Sequence, residues 1–91
     1  MKILKFYADW CAPCKQQTKI LEKASIEVEA INVEDDEYVD MVEELKIRSL
    51  PTMIVVDDDN NELKRFIGLT PLNHIEDFIK SENNETNREK K

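Results

Sequence analysis

The apolar positions fall into short runs that predict seven elements. Ile3, Leu4, Phe6 and Tyr7 make residues 2–8 a strand of the buried parallel kind, and Lys5 is the anomaly within it. Ile20, Leu21 and Ala24 give an apolar stripe to a helix over residues 11–24, closed by Ser25. The alternation of Ile26, Val28 and Ala30 predicts a second strand over 26–33 with one half-exposed end. Glu34 to Glu37 are all acidic and precede Tyr38, Val42 and Leu45 at i, i+4, i+7 spacing. Carboxylates favour a first turn, so a helix is expected over 36–46. Thr52–Asp57 reads as a β-branched strand, Asp58–Asn61 as a solvated turn and Leu63–Ile67 as the returning strand of a hairpin. Thr70 as N-cap and Pro71 at the first helical position open a last helix, which Leu72, Ile75, Phe78 and Ile79 carry to about residue 81.

This order, βαβαββα, defines an α/β class with a four-stranded mixed sheet and three helices. A right-handed first crossover sets strands one and two side by side and parallel, and the hairpin supplies the antiparallel edge. Residues 1–81 form one domain. Residues 82–91 carry no apolar side chain and are expected to fray.

Composition narrows the chemistry. The net charge of -7 disfavours phosphate backbones and anionic membrane surfaces, so neither nucleic acid nor membrane is an expected partner. No apolar run approaches the length of a membrane span. Met1 is followed at once by the first strand, without a basic start and apolar signal region, so a cytoplasmic protein is expected. The acidic run 34–37 lacks the glycine and ligand spacing of a calcium loop, and reads as a solvated helix start. His74 is the only histidine and reads as a solvated helix residue.

The two cysteines, Cys11 and Cys14, stand two residues apart between the first strand and the first helix. In a reducing compartment such a pair is catalytic or metal-binding rather than structural. A disulfide closing so small a loop stabilises by only about 2 kcal/mol before strain is subtracted. Cys11 falls where a helix begins, where unpaired N–H groups and the positive end of the helix dipole favour thiolate over thiol. Pro13 lies in the first turn, where its missing N–H costs little. Chemistry in such sheets gathers at the carboxyl ends of the parallel strands, and Cys11 follows strand one directly.

Phe6-Tyr7-Ala8-Asp9-Trp10-Cys11-Ala12-Pro13-Cys14-Lys15, then Ile47-Arg48-Ser49-Leu50-Pro51-Thr52, then Ile67-Gly68 together resemble thioredoxin over about residues 2–81. The resemblance implies a thioredoxin fold and a protein disulfide reductase. Its redox group is its own disulfide/dithiol, with no bound cofactor. Cys11 is then the attacking thiol and Cys14 the resolving one, and the two form the redox disulfide. Pro51 corresponds to the family's cis-proline, the backbone of Leu50 pairs with an extended substrate, and Trp10, Ala12, Pro13, Thr52 and Gly68 complete the substrate contact. The implied partners are a thioredoxin-reductase-like electron donor and disulfide-containing targets such as ribonucleotide reductase, met by a monomer.

The chain departs from the family pattern in several places. It lacks the usual N-terminal strand and helix, which brings its size closer to a glutaredoxin. Ala12 replaces a glycine, and Lys19 replaces a helix-kinking proline. Lys5 occupies the place of a buried acid beneath the active site, and Ala30 the place of that acid's lysine partner. A buried, neutral lysine could accept the Cys14 proton, and its ammonium could stabilise the Cys14 thiolate. Alternatively, Lys5 snorkels along the sheet edge with no chemical part. Three other functions compete: a glutathione-linked glutaredoxin, a metal-thiolate carrier with an incomplete zinc site, and a partner-binding platform with an incidental dithiol.

Overall fold

The first strand of the chain becomes an inner one. A computed structural model describes residues 1–89, with side chains as far as residue 82, and in it Lys2–Tyr7 (β1) lies between two neighbours in the sheet order β2-β1-β3-β4. The first crossover runs through Ala12–Leu21 (α1) to Glu27–Asn32 (β2), which pairs parallel to β1. A 3₁₀ turn at Asp36–Tyr38 leads into Val39–Glu44 (α2). Thr52–Val56 (β3) then runs antiparallel to β1 and forms a hairpin with Glu62–Ile67 (β4). Leu72–Glu89 (α3) closes the chain. The expected class, a four-stranded mixed sheet with three helices, is the observed one.

Alternation along the inner strands splits the core into two faces. Ile3, Met53 and Val55 meet Leu21 of α1 and Ile75 and Ile79 of α3 on one side. Leu4, Phe6, Ile54 and Val56 meet Ile31, Ile47 and the half-buried Tyr38, Val42 and Leu45 on the other. Side chains of this size are worth about 1.5–3 kcal/mol each when fully buried. Phe66 packs edge-on to Phe78, with ring centroids 6.4 Å apart, and so fastens the outer strand β4 to α3.

Several elements differ from the expected ones. The helix expected over 36–46 is broken at Tyr38, whose φ of -107° and ψ of 8° leave the helical region. Asp35 caps the preceding turn by accepting the Glu37 N–H, which favours the tight turn locally. At its other end α2 stops on Lys46 in the left-handed region, φ 56°, and Arg65 Nη1 donates to the Leu45 carbonyl at 2.8 Å. In β2 the buried residue is Ile31 while Ala30 is exposed, because β2 is an edge strand with different cover on its two faces. In α1 the buried residues are Cys14, Gln17 and Leu21, and Ile20 is only half-buried. α3 does not end near residue 81 but continues to Glu89. No proline or glycine interrupts it, and residues 82–89 carry no apolar side chain by which periodicity could mark the continuation. Residues 90 and 91 of the tail expected to fray lie outside the described residues.

Candidate active site

The site is assembled where β1 ends and β3 begins. Beyond Tyr7 the chain turns at Ala8, whose carbonyl accepts the Cys11 N–H at 3.1 Å. Cys11 is the N-cap of α1 with extended backbone, φ -88° and ψ 104°. Its Sγ accepts the Cys14 N–H at 3.2 Å, so a sulfur fills the place usually taken by a serine or aspartate oxygen. Ala12 and Pro13 form the exposed first turn of α1. Cys11 and Cys14 are joined as a disulfide with their Cα atoms 5.2 Å apart. Both are buried, at 4% and 2% exposure, so burial does not distinguish them. Their positions do, since only Cys11 Sγ receives a helix N–H.

Of the residues expected opposite the cysteines, Leu50 is brought to them. It packs, half-buried, against the cluster formed by Ala8, Cys11 and Cys14. The Leu50–Pro51 peptide is cis. Thr52 Oγ1 donates to the Ser49 carbonyl at 2.6 Å, and the Gly68 N–H donates to the Pro51 carbonyl at 2.8 Å. Gly68 holds φ 87°, and a Cβ there would meet no atom within 4 Å, so conformation rather than space calls for glycine. Trp10 is 70% exposed, and its Nε1–H donates to Glu34 Oε2 at 3.0 Å. A groove of about 360 Å³ runs beside Trp10, Val33, Ile47, Arg48 and Leu50.

Lys5 lies beneath. β1 is an inner strand and Lys5 sits between Ala30 and Met53, only 6% exposed, so it does not follow a sheet edge. Its Nζ donates to Thr18 Oγ1 and stands 5.0 Å from the Tyr7 ring centroid. Among the described residues no carboxylate forms an ion pair with it. Burial holds its pKa below the usual lysine value of 10.5. A cleft of about 280 Å³ is shared by Lys5, Cys14, Thr18 and Asp9.

Three residues around the site escape a reading by motif. Thr18 binds Lys5 and donates to the Cys14 carbonyl at 3.0 Å; it stands one turn beyond Cys14. Glu34 reaches Trp10 from the acidic run. Gln17 is fully buried, and the phase Cys14, Gln17, Leu21 at i, i+3, i+7 is the signal that places it inward. His74 lies exposed on α3, away from the cysteines in sequence. Among the described residues no three His, Cys, Asp or Glu side chains are grouped to hold a metal ion.

A disulfide at the start of a helix, faced by a cis-proline loop on a four-stranded mixed sheet, defines a thiol–disulfide exchange site. The family model described as Thioredoxin matches residues 1–81, and the chain belongs to the thioredoxin family. It is 33% identical over 81 residues to a thioredoxin of Mycoplasmoides gallisepticum, covering 86% of this chain and 80% of that one. It is 31% identical over 85 residues to the chloroplastic thioredoxin-like protein CITRX2 of Nicotiana benthamiana, covering 88% of this chain and 47% of that one. The chain thus spans about half the length of that relative. Among solved structures, thioredoxin 1 of Thermosipho africanus superposes with a TM-score of 0.76 at 26% identity, covering 96% of this chain and 99% of that one.

Proposed function

We propose that the protein is a dithiol–disulfide oxidoreductase that reduces protein disulfides. The observation that carries this reading is the Cys11–Cys14 disulfide at the start of α1, with Cys11 Sγ at a helix N–H and Leu50 packed against it. In the reduced form the helix terminus favours Cys11 as thiolate. The thiolate attacks one sulfur of a substrate disulfide, that S–S bond breaks, and one substrate thiolate leaves and takes up a proton. Cys14 then loses its proton and attacks Cys11 Sγ. The mixed disulfide breaks, the second substrate thiolate departs, and two electrons have passed to the substrate. The protein is left in the disulfide form.

Lys5 is the acceptor we assign to the Cys14 proton. Its lowered pKa and the cleft it shares with Cys14 support this part. The ammonium so formed gains in the Cys14 thiolate the counter-charge that no carboxylate among the described residues supplies. Trp10, Ala12, Pro13, Leu50, Pro51, Thr52 and Gly68 form the substrate-facing surface. Family membership supports a reductase as electron donor and disulfide-bearing proteins as targets; a thioredoxin-reductase-like donor, targets of the ribonucleotide reductase kind, a monomer and a cytoplasmic location complete the reading we propose.

Reduction of insulin, driven by a thioredoxin reductase and NADPH and followed by precipitation of the free chains, tests this reading. The protein should accelerate it, glutathione should be a poor electron source, and Cys11→Ser should abolish it. Cys14→Ser should retain the attack and accumulate a mixed disulfide. Full activity in Cys11→Ser would overturn the assignment.

A further inference from the structure

Gln17 presents an amide to the interior of the molecule, at 0% exposure, and spends both ends of it on a single residue. Its Nε2–H donates to the Thr70 carbonyl at 3.0 Å, and its Oε1 accepts the Thr70 N–H at 2.7 Å. The side chain therefore pairs with a peptide unit much as a neighbouring strand would. Thr70 lies in the connection between β4, which ends at Ile67, and α3, which begins at Leu72. Secondary structure does not hold this segment. Gly68 has the left-handed φ of 87°, and Pro71 has no N–H to give.

From Thr70 the bonds continue toward the site. Thr70 Oγ1 donates to the Gly68 carbonyl at 2.9 Å, and the Gly68 N–H donates to the Pro51 carbonyl at 2.8 Å. The same segment displays two large apolar side chains to solvent, Ile67 at 65% and Leu69 at 48% exposure. Gln17 stands three residues after Cys14 on the same helix, so one side chain ties the helix bearing the thiols to the wall formed by residues 67–69.

We infer that Gln17 is a positioning residue that fixes the 67–70 wall relative to the thiols, and thereby sets recognition of protein disulfides without taking part in the sulfur chemistry. The inference rests on the proposed disulfide reductase activity. It predicts that the wall matters to a substrate broad enough to touch Ile67 and Leu69, and is silent to one that reaches only the sulfur.

The test compares two substrates, insulin and 5,5′-dithiobis(2-nitrobenzoate), with Gln17→Leu and Gln17→Glu. The leucine variant leaves the Thr70 N–H and carbonyl buried without partners, and KM for insulin should rise roughly tenfold at little changed kcat. The rate with the small aromatic disulfide should stay within about twofold of wild type, since neither thiol has lost a partner. In Gln17→Glu an ionised carboxylate can accept the Thr70 N–H but has nothing to give the carbonyl, whereas the protonated acid restores both bonds. Its KM for insulin should therefore return toward wild type as pH is lowered, and wild type should show no such return. Hydrogen exchange at Gly68, Leu69 and Thr70 should speed up in the leucine variant ahead of β1 and β3.

An unchanged KM in a variant that merely melts earlier would overturn the inference, as would an equal loss with both substrates. Loss of fold in both variants at every pH would overturn it too, by making Gln17 a requirement of the core alone. Wild-type protein that reduces neither substrate would overturn the reductase reading itself, and this inference with it.

Discussion

Lys5 Nζ donates to Thr18 Oγ1, and Thr18 in turn donates to the carbonyl of Cys14. The hydroxyl cannot donate to the amine while it serves the carbonyl, so it is an acceptor for Lys5 and holds the amine under the end of α1 that bears the cysteines. The cleft that Lys5 shares with Cys14 lies alongside. The consequence is kinetic. Lys5→Met should slow the resolution of the mixed disulfide by about tenfold or more while leaving the initial attack by Cys11 nearly untouched, because only the second step needs a proton taken from Cys14. Rapid-quench trapping of the mixed disulfide separates the two steps. Equal slowing of both, or of neither, would remove Lys5 from the mechanism.

The same burial has an equilibrium signature. Lys5 in the unfolded chain titrates at the usual 10.5, and in the folded chain burial moves its titration lower. Below the folded value both states carry the proton, and the folded protein bears the cost of burying that charge. Between the two values the unfolded chain binds more proton, so wild-type stability rises with pH. Lys5→Met has no such group. It should be the more stable protein near neutral pH, and its advantage should shrink as pH climbs toward 10.5. Urea unfolding across that range measures the difference, and an advantage that grew with pH would contradict the burial account.

Gly68 offers a substitution with one cause. Since a Cβ there meets nothing within 4 Å, Gly68→Ala tests only the φ of 87°. An L-residue in the left-handed region costs about 1–2 kcal/mol. Denaturant melts should show a loss of that size, and no loss at all would mean that the connection relaxes to another conformation.

Asp57 organises the hairpin turn. Its Oδ1 accepts the N–H groups of Asn61 and Asp59, each at 2.9 Å, and these bonds, that from Asn61 foremost, hold its pKa below the usual 3.8. A carboxylate with a depressed pKa stabilises fully above its unfolded value, and that contribution is lost as pH falls through its folded one. Asp57→Ala should therefore lower Tm at neutral pH, with the gap from wild type closing under strong acid. Calorimetric scans at both ends of that range decide it.

The strands were legible because apolar side chains on an inner sheet have nowhere else to go, and Ile3, Phe6, Ile54 and Val55 read as such directly. The cysteine turn was legible because Cys11, Pro13 and Cys14 each have a local reason for their place at a helix start. Gln17 and Thr18 were not. A polar side chain faces inward only when a distant backbone or amine awaits it, and Thr70 lies 53 residues from Gln17. Ala30 misled for the opposite reason, since its small apolar side chain is tolerated at an exposed edge. Lys5 stood out as the one charge in a buried run, and the sheet order then decided between a rim and an interior position.

In the ladder between β1 and β3, Phe6 lies opposite Thr52. Cys11 follows the first of these in the chain and Leu50-Pro51 precedes the second, so the cysteine turn and the proline loop meet by counting residues along two strands that run in opposite senses. A shift of two residues in that pairing keeps every side chain on its own face and the core apolar, yet displaces the proline by roughly 7 Å along β1. Insertions in residues 2–7 or 52–56 that leave the protein folded should still silence it, because the spacing acts as a ruler, and rulers fail by offset rather than by breaking.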